Sequence, residues 1–374
     1  MCKIKEKHRH RYGFEAELGA MNLGKKLKNK TVLAEVKKND IPFLNIVSEG
    51  ESTGSSYVEF VSAPFNDDTD ICDYFMFLRY SRSATDKKYF EEIFDEILNK
   101  INKTNIKYEI IYYVKYKTLK IKRIGPTYGN FSMQINMDIP CSALYCNNNE
   151  NFLNLLPSDF KKNIYKSREC VNKLFNKSEI KEISNNALSL LTILYYQCYI
   201  YTEKGNIIPP QYERSDLITN ENCKLINIEN NSYKLKFSVL VKAGKANIIN
   251  MLEKEEVNKL KLKFDDSKVE DMFIKTINSF TLTGNKSECD ICYNNIKNNI
   301  SKCIDNTSKP NYIYDEPRPS GLIEPVNDII VIELRSASTP FVSIAADAAN
   351  CKDNGYKEKL NNLIRQIKIV DNAL

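Results

Sequence analysis

Two glutamates stand two residues apart in the short apolar run Tyr12-Gly13-Phe14-Glu15-Ala16-Glu17-Leu18. Side chains alternate across a strand, so this spacing puts Glu15 and Glu17 on one face and Phe14, Ala16 and Leu18 on the other. Carboxylates side by side repel each other unless water or a cation lies between them. The pair therefore asks for other segments that bring matching groups to the same face.

Three later segments have the same design. In Tyr57-Val58-Glu59-Phe60-Val61-Ser62, Val58 and Phe60 share one face and Glu59 takes the other. A Gly/Ser-rich turn precedes this strand and Pro64 ends it. In Phe131–Pro140, Met133, Ile135, Met137 and Ile139 oppose Gln134, Asn136 and Asp138. In Asp328–Ser336, Ile330, Ile332 and Leu334 oppose Glu333 and Arg335. If these strands share one sheet in register, its open face is a basin of carboxylates and amides with one arginine. Oxygen donors of this kind suit hard divalent cations, Mg²⁺ or Mn²⁺. Metals in such basins serve phosphoryl chemistry, and arginine stabilises the charge on a transferring phosphoryl group. Taken singly, each strand reads equally well as part of an antiparallel sheet with one wet face.

The elements that must position these residues follow from periodicity. Thr31–Val36 and Pro42–Val47 read as strands with polar turns between them. Residues 86–103 carry the clearest helical stripe, Phe90, Ile93, Phe94, Ile97, Leu98 and Ile101. Lys107–Lys122 alternates as a strand or hairpin, with Tyr108, Ile110 and Tyr112 on one side. Residues 148–203 read as mostly helical, one helix starting at Pro157-Ser158-Asp159 and another capped by Ser184. The apolar helix Ala187–Tyr201 is expected to pack on the sheet. Leu235–Val241 reads as a strand, 247–261 and 266–278 as helices, and 356–370 as a closing helix with the stripe Leu360, Leu363, Ile364, Ile367. Residues 1–11 form a basic arm that includes His8 and His10. Residues 12–374 are expected to be one domain, with the Asn/Lys-rich stretch 284–312 a peripheral insertion.

Composition sets the outer bounds. The chain has 374 residues, 42% hydrophobic and 27% charged, with 54 basic and 48 acidic residues mixed along it. That is the balance of a globular protein rather than of a nucleic-acid binder with a concentrated basic face. The longest apolar run, Ala187–Ile200, is too short and too polar to span a bilayer. Eleven cysteines, an odd number, and a basic, polar start suggest a reducing cytoplasm with mostly free thiols. Cys289 and Cys292 form a single CxxC. Cys303 adds at most a third ligand, so free thiols are favoured there over zinc or redox chemistry. No phosphate-binding glycine loop, dinucleotide fingerprint or serine-nucleophile motif occurs.

Gly13-Phe14-Glu15-Ala16-Glu17 resembles the Gly-x-Glu-x-Glu first strand of the glutamine synthetase / glutamate–cysteine ligase fold, closest to its carboxylate–amine ligase and amidoligase branches. Ser48–Pro64, ending Val-Glu-Phe-Val-Ser-Ala-Pro, resembles the turn and strand that follow there. Met133-Gln134-Ile135-Asn136 stands where the family has a His-x-His or Gln-x-His strand, and Ile332-Glu333-Leu334-Arg335 resembles its late Glu-hydrophobic-Arg strand. The four motifs come in the family's order and cover about a tenth of the chain. The resemblance implies an α+β fold in which a curved antiparallel sheet forms a funnel with helices on its outer face. It implies an ATP- and Mg- (or Mn-) dependent ligase that joins a carboxylate to an amine through an acyl-phosphate. Its substrates would be small molecules or peptides, not nucleic acid or membrane. Carried over, Glu15, Glu17 and Glu59 become metal ligands, and Glu333 a further metal ligand or a substrate contact. Arg335 becomes a phosphate contact, and Gln134 and Asn136 line the cofactor site. Arg214, in Arg214-Ser215-Asp216 after a Pro-Pro loop, becomes a grip on phosphate or a substrate carboxylate, with a surface ion pair to Glu213 or Asp216 as the alternative. Gln134 and Asn136 depart from the family's histidines. That departure leaves room for a catalytically altered scaffold acting as an effector or binding module.

Overall fold

A computed structural model of the chain describes residues 10–28, 30–49, 56–83, 89–102, 107–113, 119–123, 130–145, 150–175, 177–202, 239–243, 254–265, 329–335, 340–351 and 355–374. The expectations placed on His8, Arg214, Cys289, Cys292, Cys303 and residues 266–312 lie outside these residues. Two compact units divide the chain. One comprises Met1–Asp138, Pro317–Glu324 and Glu333–Asn372; the other comprises Ile139–Glu316, Pro325–Ile332 and Ala373–Leu374.

The first unit is built on β1 (Tyr12–Asn22), which lies antiparallel between β4 (Tyr57–Ser62) and β7 (Phe131–Pro140). β2 (Val32–Lys38), β3 (Ile41–Glu49) and β5 (Tyr108–Tyr112) extend the sheet beyond β4 in the order β5, β2, β3, β4, β1, β7. β6 (Lys122–Arg123) pairs with the end of β1. β9 (Ile329–Leu334), whose last two residues belong to this unit, neighbours β7. The fold is therefore α+β, with an open antiparallel sheet and helices. The β2–β3 turn needs two left-handed residues, and Asn39 (φ 51°) and Asp40 (φ 66°) supply them. These residue types tolerate that region and fit a tight hairpin.

The alternation read from the sequence holds on the core face. Phe14, Ala16, Ile46, Val58, Phe60 and Ile135 are all fully buried. Two helices cover them, α1 (Asp68–Ser83) and α2 (Phe90–Ile101). Phe14 stacks on Tyr74 (5.7 Å between ring centroids) and meets Phe75 edge-on (5.3 Å). Phe60 contacts Phe77, Phe94 and Phe131 at 5.9–6.0 Å. Burying one such side chain contributes about 1.5–3 kcal/mol, so this aromatic layer fixes which face of the sheet is the core.

α1 was not anticipated from the sequence, although its signals are present. Asp67 accepts from the Thr69 N–H as an N-cap. Asp68 and Asp70 sit in the first turn and Arg82 in the last, and Ile71, Tyr74, Phe75 and Leu78 make the stripe. α8 (Pro340–Asn350) was likewise missed; its opening proline sits where a missing N–H costs nothing. Asn350, at its end, accepts from the Phe131 N–H (2.7 Å) and donates to the Phe131 carbonyl (3.1 Å), standing in for a strand neighbour. The closing helix α9 (Tyr356–Ala373) buries Leu360, Leu363, Ile367 and Val370, and its Asp371 receives the Tyr12 hydroxyl at 2.7 Å.

The second unit contains a short 3-10 turn (Cys141–Leu144), α3 (Glu150–Leu155), α4 (Ser158–Leu174), α5 (Lys177–Lys181), α6 (Asn185–Thr202), β8 (Val239–Ala243) and α7 (Lys254–Asp265). Ser184 caps α6 as expected, accepting from the Ala187 N–H at 3.1 Å. α6 packs on α4, where Phe160 meets Tyr196 edge-on at 5.0 Å. Arg168 donates from Nε to the Leu144 carbonyl at 2.6 Å and ties α4 to the 3-10 turn. No helix among the described residues is long and apolar enough to cross a membrane.

The Tyr74 hydroxyl donates to the carbonyls of Phe60 (2.8 Å) and Phe14 (3.3 Å), linking α1 to the two central strands. Tyr74→Phe keeps the ring and removes this link. It should lower stability by about 1 kcal/mol, read as a reduced urea midpoint with an unchanged slope. An unmoved midpoint would show that the hydroxyl does not tie helix to sheet.

Candidate functional site

The register brings the predicted acids together. Across β1 and β4, Glu17 stands directly opposite Glu59, and Glu15 opposite Val61. Across β1 and β7, Glu15 stands opposite Gln134, Glu17 opposite Ser132, and Gly13 opposite Asn136. On β3, Val47 is opposite Glu59, so the alternation places Glu49 and Asn45 on the same face. Four adjacent strands thus contribute polar groups to one surface.

That surface is not the open basin expected from the pattern. Glu59 and Asn136 are each 2% exposed and Glu15 8%. Water no longer screens their charge, and a buried carboxylate without a partner is strongly unfavourable. The partner is Lys30, which the sequence reading did not single out. Its Nζ is ion-paired with Glu59 Oε2, with Glu49 Oε2 at 3.1 Å and with Glu15 Oε2 at 3.3 Å. Glu15 Oε1 accepts from Asn136 Nδ2 at 2.7 Å. The Oδ1 of Asn136 is buried and has no hydrogen-bond partner.

Burial pushes the Glu59 carboxyl up to about 8; Lys30 pulls it down, and Glu15 and Glu49 add to the rise. Burial also opposes the charge on Lys30, but Glu59, Glu15 and Glu49 outweigh it and hold the ammonium above its ordinary pKa. The two shifts differ in origin: burial is the first cause at Glu59, and the neighbouring carboxylates are what raise Lys30. The lysine is therefore charged. The Tyr74 hydroxyl is also held well above its ordinary pKa, by burial first and by Glu59 and Glu15 next, so it remains a neutral donor.

Local structure explains how Lys30 gets there. The segment between β1 and β2 is stapled at both ends of the following β3–β4 connection. Ser48 Oγ donates to the Lys28 carbonyl (2.8 Å) and accepts from the Thr31 N–H (3.2 Å), while the Lys30 N–H donates to the Ser48 carbonyl (2.7 Å). Ser56 Oγ accepts from the Leu27 N–H (2.9 Å), and the Ser56 N–H donates to the Lys25 carbonyl (3.0 Å). Lys30 itself adopts a left-handed backbone (φ 58°), uncommon for a residue with a Cβ, which turns its side chain back over the acids.

The remaining predicted residues have other placements. Asp138 is buried, but it accepts from the Arg11 N–H (2.5 Å) and from Arg11 Nε (3.0 Å), with His10 Nδ1 at 3.6 Å. It holds the start of β1 rather than joining the acidic cluster. Glu333 is fully buried and ion-paired with Arg335, which lies just past the end of β9. Glu17 is half-buried. Among the described residues, no group of three or more His, Cys, Asp or Glu side chains stands ready-made as a metal cage; the space among Glu15, Glu49 and Glu59 is taken by the Lys30 ammonium. Glu49 was legible in principle, since it continues the Asn45, Val47 alternation. Lys30 was not, because it is one of four lysines in six residues.

No protein-family model matches the chain, and no curated protein matches it. Among solved structures it is similar to the ACD domain of a VgrG toxin from Vibrio cholerae, a mutant in complex with ADP and Mn++. The identity is 9% and the TM-score 0.45, and the match covers 87% of this chain and 94% of that one. A score at that level does not establish a common fold.

Ser48 holds the Lys30 loop by two side-chain bonds. Ser48→Ala should cost about 1–3 kcal/mol for the buried groups left unpaired, and hydrogen exchange at the Lys30 and Thr31 amides should accelerate. Unchanged protection at both amides would mean that Ser48 does not set the position of Lys30.

Proposed function

We propose that the chain is an ATP- and divalent-cation-dependent ligase joining a carboxylate to an amine, built on a glutamine synthetase-like sheet. One observation carries this reading: acids from three adjacent strands converge on a single cation position that Lys30 now fills. The fit to a hard cation rests on the same place. The ammonium occupies it as a positive stand-in, and the buried Oδ1 of Asn136 beside Glu15 has no partner. Glu15, Glu59 and Asn136 would hold Mg²⁺ or Mn²⁺, with Glu17, Glu49 and Glu333 as further acids of the same site. The cation supplies neutralisation of the nucleotide phosphates.

The residues of the chain do the rest. Arg335, just after β9, would turn from Glu333 to the transferring phosphoryl group, where a guanidinium matches the oxygen geometry. Gln134, opposite Glu15, would orient the nucleotide through its amide. Arg214 would receive the substrate carboxylate. A substrate carboxylate oxygen attacks the γ-phosphorus and ADP leaves. The amine nitrogen then attacks the acyl carbon, phosphate departs with its oxygen, and the nitrogen gives up a proton. Burial around Glu59 supports this order, because an acyl-phosphate survives only where water is kept out. The substrates are small molecules or peptides that carry a carboxylate and an amine, in the cytoplasm.

A second reading has its own support. Gln134 and Asn136 stand where this family places histidine, and a lysine sits among the acids. The same scaffold without catalysis, working as an effector or binding module, fits those departures.

The two readings separate on nucleotide binding and turnover. The ligase reading expects heat of binding for Mg²⁺–ATP at millimolar concentration, and release of ADP and phosphate when a suitable amino-acid pair is added. Glu15→Gln and Glu59→Gln should each lower that release at least 100-fold. Absence of Mg²⁺–ATP binding favours the module, and full activity in either variant removes that residue from the site.

A further inference from the structure

Lys30 is ion-paired with Glu15, Glu49 and Glu59, and it belongs to the chain itself. A ligand already tethered to its site competes at a high effective concentration, of the order of millimolar for a short flexible link. Here the link is shorter and stiffer than a random tether, because Ser48 fixes the backbone on both sides of Lys30. A free cation must outcompete that ammonium to reach the same oxygens.

The arrangement favours such an exchange. Three acidic side chains surround the Lys30 ammonium, and a divalent ion in its place would bring twice the positive charge. The buried Oδ1 of Asn136 has no hydrogen-bond partner, and a metal ion could take up its lone pair. The lysine is the more accessible member of the cluster, since 39% of its side chain faces solvent while Glu59 is 2% exposed. The flexible stem lets the ammonium move to water while the left-handed backbone stays in place.

We propose that Lys30 is a built-in counter-ion that closes the cation position of the ligand-free chain, and that a divalent cation enters by displacing its ammonium into solvent. This rests on the cation reading of the site. It goes further by assigning a specific competitive role to a residue outside the predicted ligand set. The ammonium keeps the acids neutralised without metal, which stabilises the sheet centre. It also sets a threshold, so that the site loads only above a set level of free divalent ion. Glu49 marks the resting position of the lysine at the end of β3.

The test uses the full chain and Mn²⁺ as the probe, read by calorimetry and by the loss of the free-Mn²⁺ paramagnetic resonance signal. Lys30→Met, which keeps the stem and removes the charge, should bind Mn²⁺ at least tenfold more tightly than the wild type. Lys30→Arg, which keeps a cation, should not. On the wild-type protein, saturating Mn²⁺ should raise the rate of amine acylation at Lys30 severalfold, read by peptide mass spectrometry. That arm needs no variant and stands if Lys30→Met fails to fold. Wild type and Lys30→Met binding Mn²⁺ equally well, or Lys30 acylation unchanged on Mn²⁺ binding, overturns the displacement and leaves the cation site standing. No Mn²⁺ binding by any of the three proteins overturns the cation reading together with the displacement.

Discussion

The contact between the Lys30 ammonium and the carboxylates of Glu15, Glu49 and Glu59 is the constraint on which the centre of the sheet depends. β1, β3 and β4 run side by side, and each carries an acid to one place. Without a cation the three would repel in a setting where burial already penalises every charge. With one, the strands can stay in register, although the balance is incomplete. Glu59 shows the shortfall, since burial lifts its carboxyl towards neutral pH even with the lysine against it.

The opposite face shows why the sheet bears this cost. Phe14 and Phe60 are the immediate sequence neighbours of Glu15 and Glu59, and both lock into the aromatic layer of α1 and α2. Side chains alternate, so register chosen by the aromatics also fixes where the acids point. A slip of one residue would put Glu15 and Glu59 into the core. The apolar face therefore specifies the position of the polar one, and the Tyr74 hydroxyl ties the two strands to α1 from behind.

A device of this kind would suit the ligase reading proposed above, in which a divalent cation neutralises nucleotide phosphates. A site of several carboxylates left open at low metal would be strained, and would take up any available cation. On the proposed displacement, the internal ammonium would stabilise the empty state and favour divalent over monovalent ions, since a monovalent ion gains little over a lysine already in place. The left-handed backbone at Lys30 is a local strain held by Ser48, and such strain recurs where a side chain must be aimed rather than merely packed.

Much of this was legible in the sequence. The alternation of Glu15 with Phe14, of Glu59 with Phe60 and of Asn136 with Ile135 fixed which side chains face together, because period two follows from backbone geometry alone. The stripe of α2 and the cap at Ser184 were equally local, and α1 carried readable signals that were passed over. Strand neighbourhood was not local. Nothing in the chain between Glu17 and Glu59 states that they stand opposite each other, and nothing near Asp138 states that Arg11 claims it. Lys30 was the least legible of all. Its role comes from a turn whose shape depends on Ser48 and Ser56, distant hydrogen-bond partners that sequence spacing does not reveal. The sequence by itself determined the two faces of each strand. Only the tertiary structure decided that the acidic face is buried and that its counter-charge is a lysine, because pairing register and loop closure are set by contacts between segments far apart in the chain.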